Sequence, residues 1–364
     1  MTATFVFLVG YTLQHGPSAD GPRFRSAGEG MWGPGFLDVY ANPWLQIGPL
    51  SVFLLGGASR ALEFVGTSWF AEVTLVAAQG ALDVFLVMIT ARALARRRGR
   101  PHLVARWVVG VVIGLGTTQV AASRWGHPED VLLAVALVWC GVLATTRGPV
   151  WAGLLLGLAG GFKQWALLGV GTLAAGRLGR RLVYGILAAA GVTLALYLPF
   201  MVFGDFRLFD MHWTAQLGQA HNWWVQRRVV VGWPLRLVQG GLASLAGFAV
   251  AWRRPHLPEV AAFAAIGARV MTEAAPLNYY LAPLDVVFLL WLWTSARAGS
   301  IRRRLVLTLV VPVMDTAARI HLRHDAADTP FWALVTILIV VGLLWMVRAE
   351  RPRRGADTVS AAHV

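Results

Sequence analysis

Few side chains in this sequence can do chemistry, and they fall in a small number of places. Lys163, in Gly160-Gly161-Phe162-Lys163-Gln164-Trp165, is the only lysine. Long apolar runs flank it, so its ammonium is either a functional group or a cation snorkelling to an interface. In the first case it can hold a phosphate as a point charge. A second cluster reads Arg124-Trp125-Gly126-His127-Pro128-Glu129-Asp130. An Arg, a His and two acids beside hydrocarbon are costly unless they pair or line a wet cavity. Pro128 followed by two acids also marks a helix N-terminus, where carboxylates complement the dipole. That role leaves His127 and Arg124 unexplained.

The remaining candidates are more scattered. Asp20 lies just after a first apolar segment, where a carboxylate can overhang a cavity at the membrane surface; its alternative is a solvated loop acid. Asp38, before Val39 and Tyr40, is a second acid or a turn and capping residue. Arg269 and Glu273 stand one helical turn apart and form an i,i+4 pair in a helix, just before Asn278-Tyr279-Tyr280. The stretch from Asp205 through His212 to His221 and Trp224 has a composition suited to sugar rings or lipid headgroups, as do interfacial Trp belts. His321, Arg323, His324 and Asp325 cluster near the end, but no HExxH or comparable ligand spacing occurs, so no metal is expected. Cys140 sits in an apolar run and reads as a small buried hydrophobe.

These residues are embedded in a chain whose composition excludes most function classes. Of 364 residues, 57% are hydrophobic and 14% charged, against about 25% charged in soluble domains. That is too little charge to cover a soluble surface. A surplus of 14 positive charges usually reflects topology in a membrane protein rather than nucleic-acid binding. The expected class is therefore an all-α polytopic membrane protein.

A bilayer core about 30 Å thick needs about 20 helical residues. The apolar runs give twelve candidate spans: 1–14, 69–93, 103–123, 131–146, 150–162, 164–177, 182–203, 229–252, 259–272, 279–296, 303–318 and 331–347. The first is short, and 150–162 with 164–177 can also form a re-entrant hairpin. Arginines follow every second span, at 96–100, 147, 177–181, 253–254, 302–304 and 348–354. Most of the acids and histidines occupy the alternate loops, with Arg227 and Arg228 as exceptions to the arginine pattern. By the positive-inside rule the arginine loops face the cytoplasm. This parity requires 44–62 to be a half-inserted or surface-lying helix rather than a span. The expected organisation is one membrane domain over 1–354, with outer loops at 15–68 and 204–228 and a disordered cytoplasmic tail at 355–364. No P-loop or dinucleotide fingerprint is present.

Taken in order, these motifs resemble a family. Asp20, Ala27-Gly28, Leu37-Asp38-Val39-Tyr40 and Gly48-Pro49-Leu50 resemble the GT-C class of multi-spanning glycosyltransferases. So do Arg124 to Asp130, Ala152 to Trp165, and Arg269 with Asn278-Tyr279-Tyr280-Leu281-Ala282-Pro283. The nearest resemblance is to the actinobacterial polyprenol-phosphate-mannose-dependent mannosyltransferases (glycosyltransferase family 87), over roughly residues 15–290. The first outer loop has no Asp-x-Asp pair, unlike some members of the class.

The resemblance implies a GT-C-like bundle that transfers a sugar, mannose foremost, from a polyprenyl-phosphate donor to a lipid or glycan hydroxyl. The site would lie on the outer face of the plasma membrane, with no resident cofactor or metal. Asp20 would be the general base of an inverting transfer. Lys163, His127, Arg124 and Arg269 would contact the donor phosphate. Glu129, Asp130, Asp38, Tyr279 and Tyr280 would bind substrate. Expected partners are the lipid-linked donor, a glycolipid or glycan acceptor and membrane lipids, not nucleic acid. The competing classes are a secondary transporter or lipid flippase, and an assembly protein without chemistry.

Overall fold

The computed structural model describes residues 1–16, 18, 20–117, 121, 124–176, 178–210, 233–273, 278–321 and 329–350. Every element among them is a helix. The α-helices are α1 (Thr2–His15), α2 (Gly21–Met31), α3 (Pro49–Glu63), α4 (Ser68–Arg97), α5 (His102–Val112), α6 (Glu129–Thr146) and α7 (Pro149–Phe162). They continue with α8 (Arg180–Phe203), α9 (Trp233–Arg253), α10 (Pro258–Met271), α11 (Ala282–Thr294), α12 (Ile301–His321) and α13 (Thr329–Ala349).

Five of these are long and apolar enough to cross a membrane: Ser68–Arg97, Glu129–Thr146, Arg180–Phe203, Pro234–Arg253 and Phe331–Ala349. The others over the expected spans are shorter or less apolar. Helix α1 has 14 residues, which reach about 21 Å. Helix α5 runs into a π-helical turn, Ile113–Thr117.

The stretch expected as a span or hairpin arm at 164–177 is a 3₁₀ helix, Gln164–Gly176, of 13 residues. Such runs rarely exceed one or two turns. The tighter helix rises about 2.0 Å per residue, so these residues reach about 26 Å, against about 20 Å as an α-helix. The unusual geometry stretches a short segment over a greater length.

Burial separates the helices into two kinds. In α10 every residue from Pro258 to Val270 is buried, and between Glu259 and Arg269 the helix is apolar all round, as befits the middle of a bundle. In α8 only Gly185, Ala189, Tyr197 and Phe200 are buried, while Leu187, Leu194 and Phe203 are widely exposed. That is the surface of a helix facing lipid. Its buried face meets α7 through small residues: Gly153 packs on the Gly185 backbone and Gly157 on Ala189. Spacing of four between small residues lets two helices approach closely without a hydrophobic driving force.

The two ends of the bundle differ in chemistry. At one end Arg98 reaches Thr294, the His256 carbonyl and Glu259. At the same end Arg304 and Arg297 tie Ser295 to Glu350 and the close of α13. At the other end α3 begins against the end of α7, where the Gly48 amide and the Ser51 hydroxyl both donate to the Phe162 carbonyl, at 2.7 and 2.9 Å. Helix α3 then packs along α2, with Gly28 on Gly56.

Candidate functional site

The site assembles at this second end, from five separate stretches of chain. Asp20 immediately precedes α2, with Pro in its first turn. The Ser18 hydroxyl accepts the Gly21 amide at 3.1 Å, and Asp20 donates its own amide to the Trp125 carbonyl at 3.2 Å. This joins the start of α2 to the 124–128 turn. Gly126 makes the turn possible, because its φ of 78° lies in the left-handed region that favours glycine. A side chain there would also strike the Gly21 backbone and the Ser18 hydroxyl. Pro128 then starts α6, putting Glu129 and Asp130 in its first turn, where the dipole favours carboxylates.

His127 is buried between two acids. Its Nε2 lies 3.3 Å from Asp20 Oδ2 and its Nδ1 lies 2.8 Å from Glu129 Oε1. An imidazole facing a carboxylate at each nitrogen donates to both only when doubly protonated. The ring stacks on Tyr279, centroids 4.6 Å apart, and meets the edge of Phe24 at 5.1 Å. Burial and the nearby Lys163 ammonium oppose the charged imidazole. The Glu129 charge and the hydrogen bonds to Asp20 and Glu129 outweigh them and raise its pKa. For Asp20, partial burial disfavours the anion, but the bond to His127 and the charges of His127, Arg23 and Lys163 lower the carboxyl below its ordinary value. The lowered value keeps Asp20 ionised and makes it a weaker base.

Lys163 ends α7 in an extended conformation, which turns it back onto α6. Its Nζ lies 3.0 Å from Glu129 Oε1 and 2.9 Å from Asp130 Oδ1, and 5.6 Å from the centroid of the Tyr279 ring. Snorkelling does not describe it, since the side chain is buried. Asp130 Oδ1 also accepts the Trp165 indole N–H at 2.7 Å. Asp20, His127, Glu129, Lys163 and Asp130 thus form one continuous polar network.

A cavity of about 270 Å³ opens beside it, lined by Lys163, Trp165, Arg236, Arg269, Tyr279 and Tyr280 among others. The Arg269 guanidinium is held between Trp165 and Tyr280, 4.8 and 4.6 Å from their ring centroids. Behind it, Glu273 Oε2 lies 2.9 Å from Arg236 and 4.0 Å from Arg269, and the Gln239 amide donates to the Arg269 carbonyl at 3.0 Å. Burial alone would raise the Glu273 pKa; the two guanidiniums overcome it and lower it. Arg269 Nη1 is buried with no hydrogen-bond acceptor among the described residues.

Of the ten residues expected to form the site, eight meet here: Asp20, His127, Glu129, Asp130, Lys163, Arg269, Tyr279 and Tyr280. Two stand apart. Arg124 is half-buried and outside the network, whose central cation is Lys163. Asp38 accepts the Asp205 amide at 3.1 Å, tying the Phe36–Ala41 turn to the exit of α8. It serves the turn role rather than the site. The aromatic loop at 211–232, most of the His321 to Asp325 group and the tail at 355–364 lie outside the described residues.

Sequence reasoning missed Arg236 and Gln239, and gave Trp165 no role. Arg236 carried a signal, as a lone cation inside an apolar run. It missed Asp83 too, buried in α4 with Oδ2 unpartnered among the described residues. Asp83 lines a second cavity, about 260 Å³, that Glu129 also lines. Compared with protein families, curated proteins and solved structures, this chain finds no match.

Proposed function

We propose that this chain is a membrane glycosyltransferase that takes a sugar from a polyprenyl-phosphate donor, at the outer face of the plasma membrane. The observation that carries the reading is the buried Arg269 donor, without an acceptor among the described residues, on a side chain in the same cavity wall as Lys163 and Arg236. Three cations line that wall, while Glu129, Asp130 and Glu273 contact them without lining it. A phosphate entering the cavity therefore meets donors and positive charge first. Lys163 and Arg269 stabilise it as it leaves the anomeric carbon. Asp20 takes the proton of the acceptor hydroxyl as that oxygen bonds to the carbon, inverting it. His127 orients Asp20 through their hydrogen bond.

On this reading the end with the network faces outward, and the arginine-bearing end faces the cytoplasm. Twelve passages through the bilayer fit the arginine parity, with the short elements counted among them. Mannose is the first sugar to test, and no divalent metal is required, because side-chain cations take the phosphate charge. The test is turnover by the purified chain with polyprenyl-phosphate mannose and a lipid acceptor, with and without a chelator. Transfer that survives chelation supports the reading. No transfer from any of a panel of polyprenyl-phosphate sugars would overturn it.

A transporter is the second reading, favoured by Asp83, whose buried carboxyl lies within a helix long enough to span. Intramembrane acids of this kind mark ion and proton pathways. In that case Asp83→Asn abolishes pH-driven substrate flux in proteoliposomes, and no sugar is transferred.

A further inference from the structure

A second groove, separate from the Lys163 cavity, opens toward the arginine-bearing end of the bundle. It has a volume of about 470 Å³ and runs between α10, α11, α12 and α13. Its walls are apolar: Phe288, Leu307, Val310, Leu338 and Val341 are representative. Arg303 stands at its mouth, with its guanidinium over the Trp345 ring, 4.6 Å from the centroid. From Arg303 to Met314, its lining residues on α12 advance about 16 Å along the axis. That is about half of a 30 Å hydrocarbon core, the depth of a single leaflet.

We propose that this groove holds one acyl chain of an anionic phospholipid, with the headgroup phosphate at Arg303. Charge decides the class of lipid. Arg303 is exposed, and among the described residues Glu350 and Glu259 at this end are already engaged: Glu350 with Ser295 and Trp291, and Glu259 with Arg98. Arg302 and Arg304 flank it in sequence, and basic pockets between helices at a cytoplasmic surface select anionic headgroups. Asp285 touches the groove deeper in, but its Oδ2 accepts the Thr117 hydroxyl at 3.3 Å. Residues 351–364, after α13, read RPRRGADTVSAAHV. That stretch has no apolar run to fill the walls, and its arginines add to the attraction for anionic lipid.

The test measures lipid retention and melting temperature of the full chain in detergent. Phosphatidylglycerol and phosphatidylcholine are added separately, with inorganic phosphate as a third arm. Phosphatidylglycerol should be retained and raise the melting temperature; phosphatidylcholine and free phosphate should not. Arg303→Gln should weaken retention about fivefold, the worth of one basic residue at an anionic surface. Gly342→Leu should abolish it, because a side chain there meets Phe263 only at ordinary contact distance, 3.5 Å, and extends into the groove.

Should Gly342→Leu fail to fold, a phosphatidylglycerol with a photoreactive acyl chain replaces it. Cross-links should fall on residues 301–314 and 335–345. Equal stabilisation by the two lipids or by free phosphate, unchanged retention in both variants, or cross-links elsewhere would each overturn the site.

Discussion

Asp20 and His127 lie 107 residues apart in sequence and 3.3 Å apart in space. The contact couples the one half-exposed acid of the network to its buried interior. Asp20 keeps 28% of its side-chain surface and faces solvent, whereas His127 keeps 3%. A carboxylate with that arrangement can exchange a proton with a ligand while a buried histidine holds its orientation.

Asp20→Asn keeps the shape of the side chain and removes its basicity. If Asp20 is the general base, turnover should fall about 10²–10⁴-fold, with donor binding and melting temperature close to wild type. Steady-state rates and donor titrations separate the two. A variant that retains half of the wild-type rate would move the base elsewhere.

Lys163 neutralises Glu129 and Asp130 inside the protein. Lys163→Met leaves buried Glu129 with only His127 and buried Asp130 with only the Trp165 indole, and breaking a buried pair from one side typically costs about 3–5 kcal/mol. The substitution should lower the melting temperature sharply, and adding Glu129→Met in the same chain should recover part of the loss. A single variant as stable as wild type would mean that water reaches the pair.

The pH dependence follows from the opposite shifts of the two coupled groups. His127 has a raised pKa, so its stabilising contribution is complete below the ordinary histidine range. It disappears as pH rises through the raised value. Asp20 has a lowered pKa, so its contribution is present above the ordinary carboxyl range and is lost on acidification. Melting curves across pH should show wild type more stable than His127→Gln at mildly acidic pH, with the difference shrinking as pH rises. A difference that grew with pH would reverse the assignment.

Sidedness can be read with single cysteines in a Cys140→Ser background. Pro34 and Ser300 are both exposed, at opposite ends of the bundle. Pro34→Cys should react with an impermeant maleimide on intact cells, and Ser300→Cys only after permeabilisation. The reverse pattern would put the Asp20 network in the cytoplasm, away from a lipid-linked donor used outside.

Composition and local order sufficed for the class of protein. Low charge and long apolar runs exclude a soluble fold whatever the helices do later, because covering a surface with polar groups depends on composition alone. The helix start at Pro128-Glu129-Asp130 was equally legible, since capping and dipole effects act within one turn. The segment 164–177 was legible as an apolar stretch but not as a 3₁₀ helix, because apolar composition alone does not separate the two helix types.

What only docking of the helices decided is which charges meet. Nothing near Lys163 in sequence announces that Glu129 and Asp130 will neutralise it, or that Arg236 will share Glu273 with Arg269. Asp20 and Asp38 look alike as loop acids, yet one meets a buried histidine and the other only a backbone amide. The physical reason is range. A carboxylate in low dielectric is governed by partners within a few ångströms, and in a bundle those partners come from helices dozens of residues away.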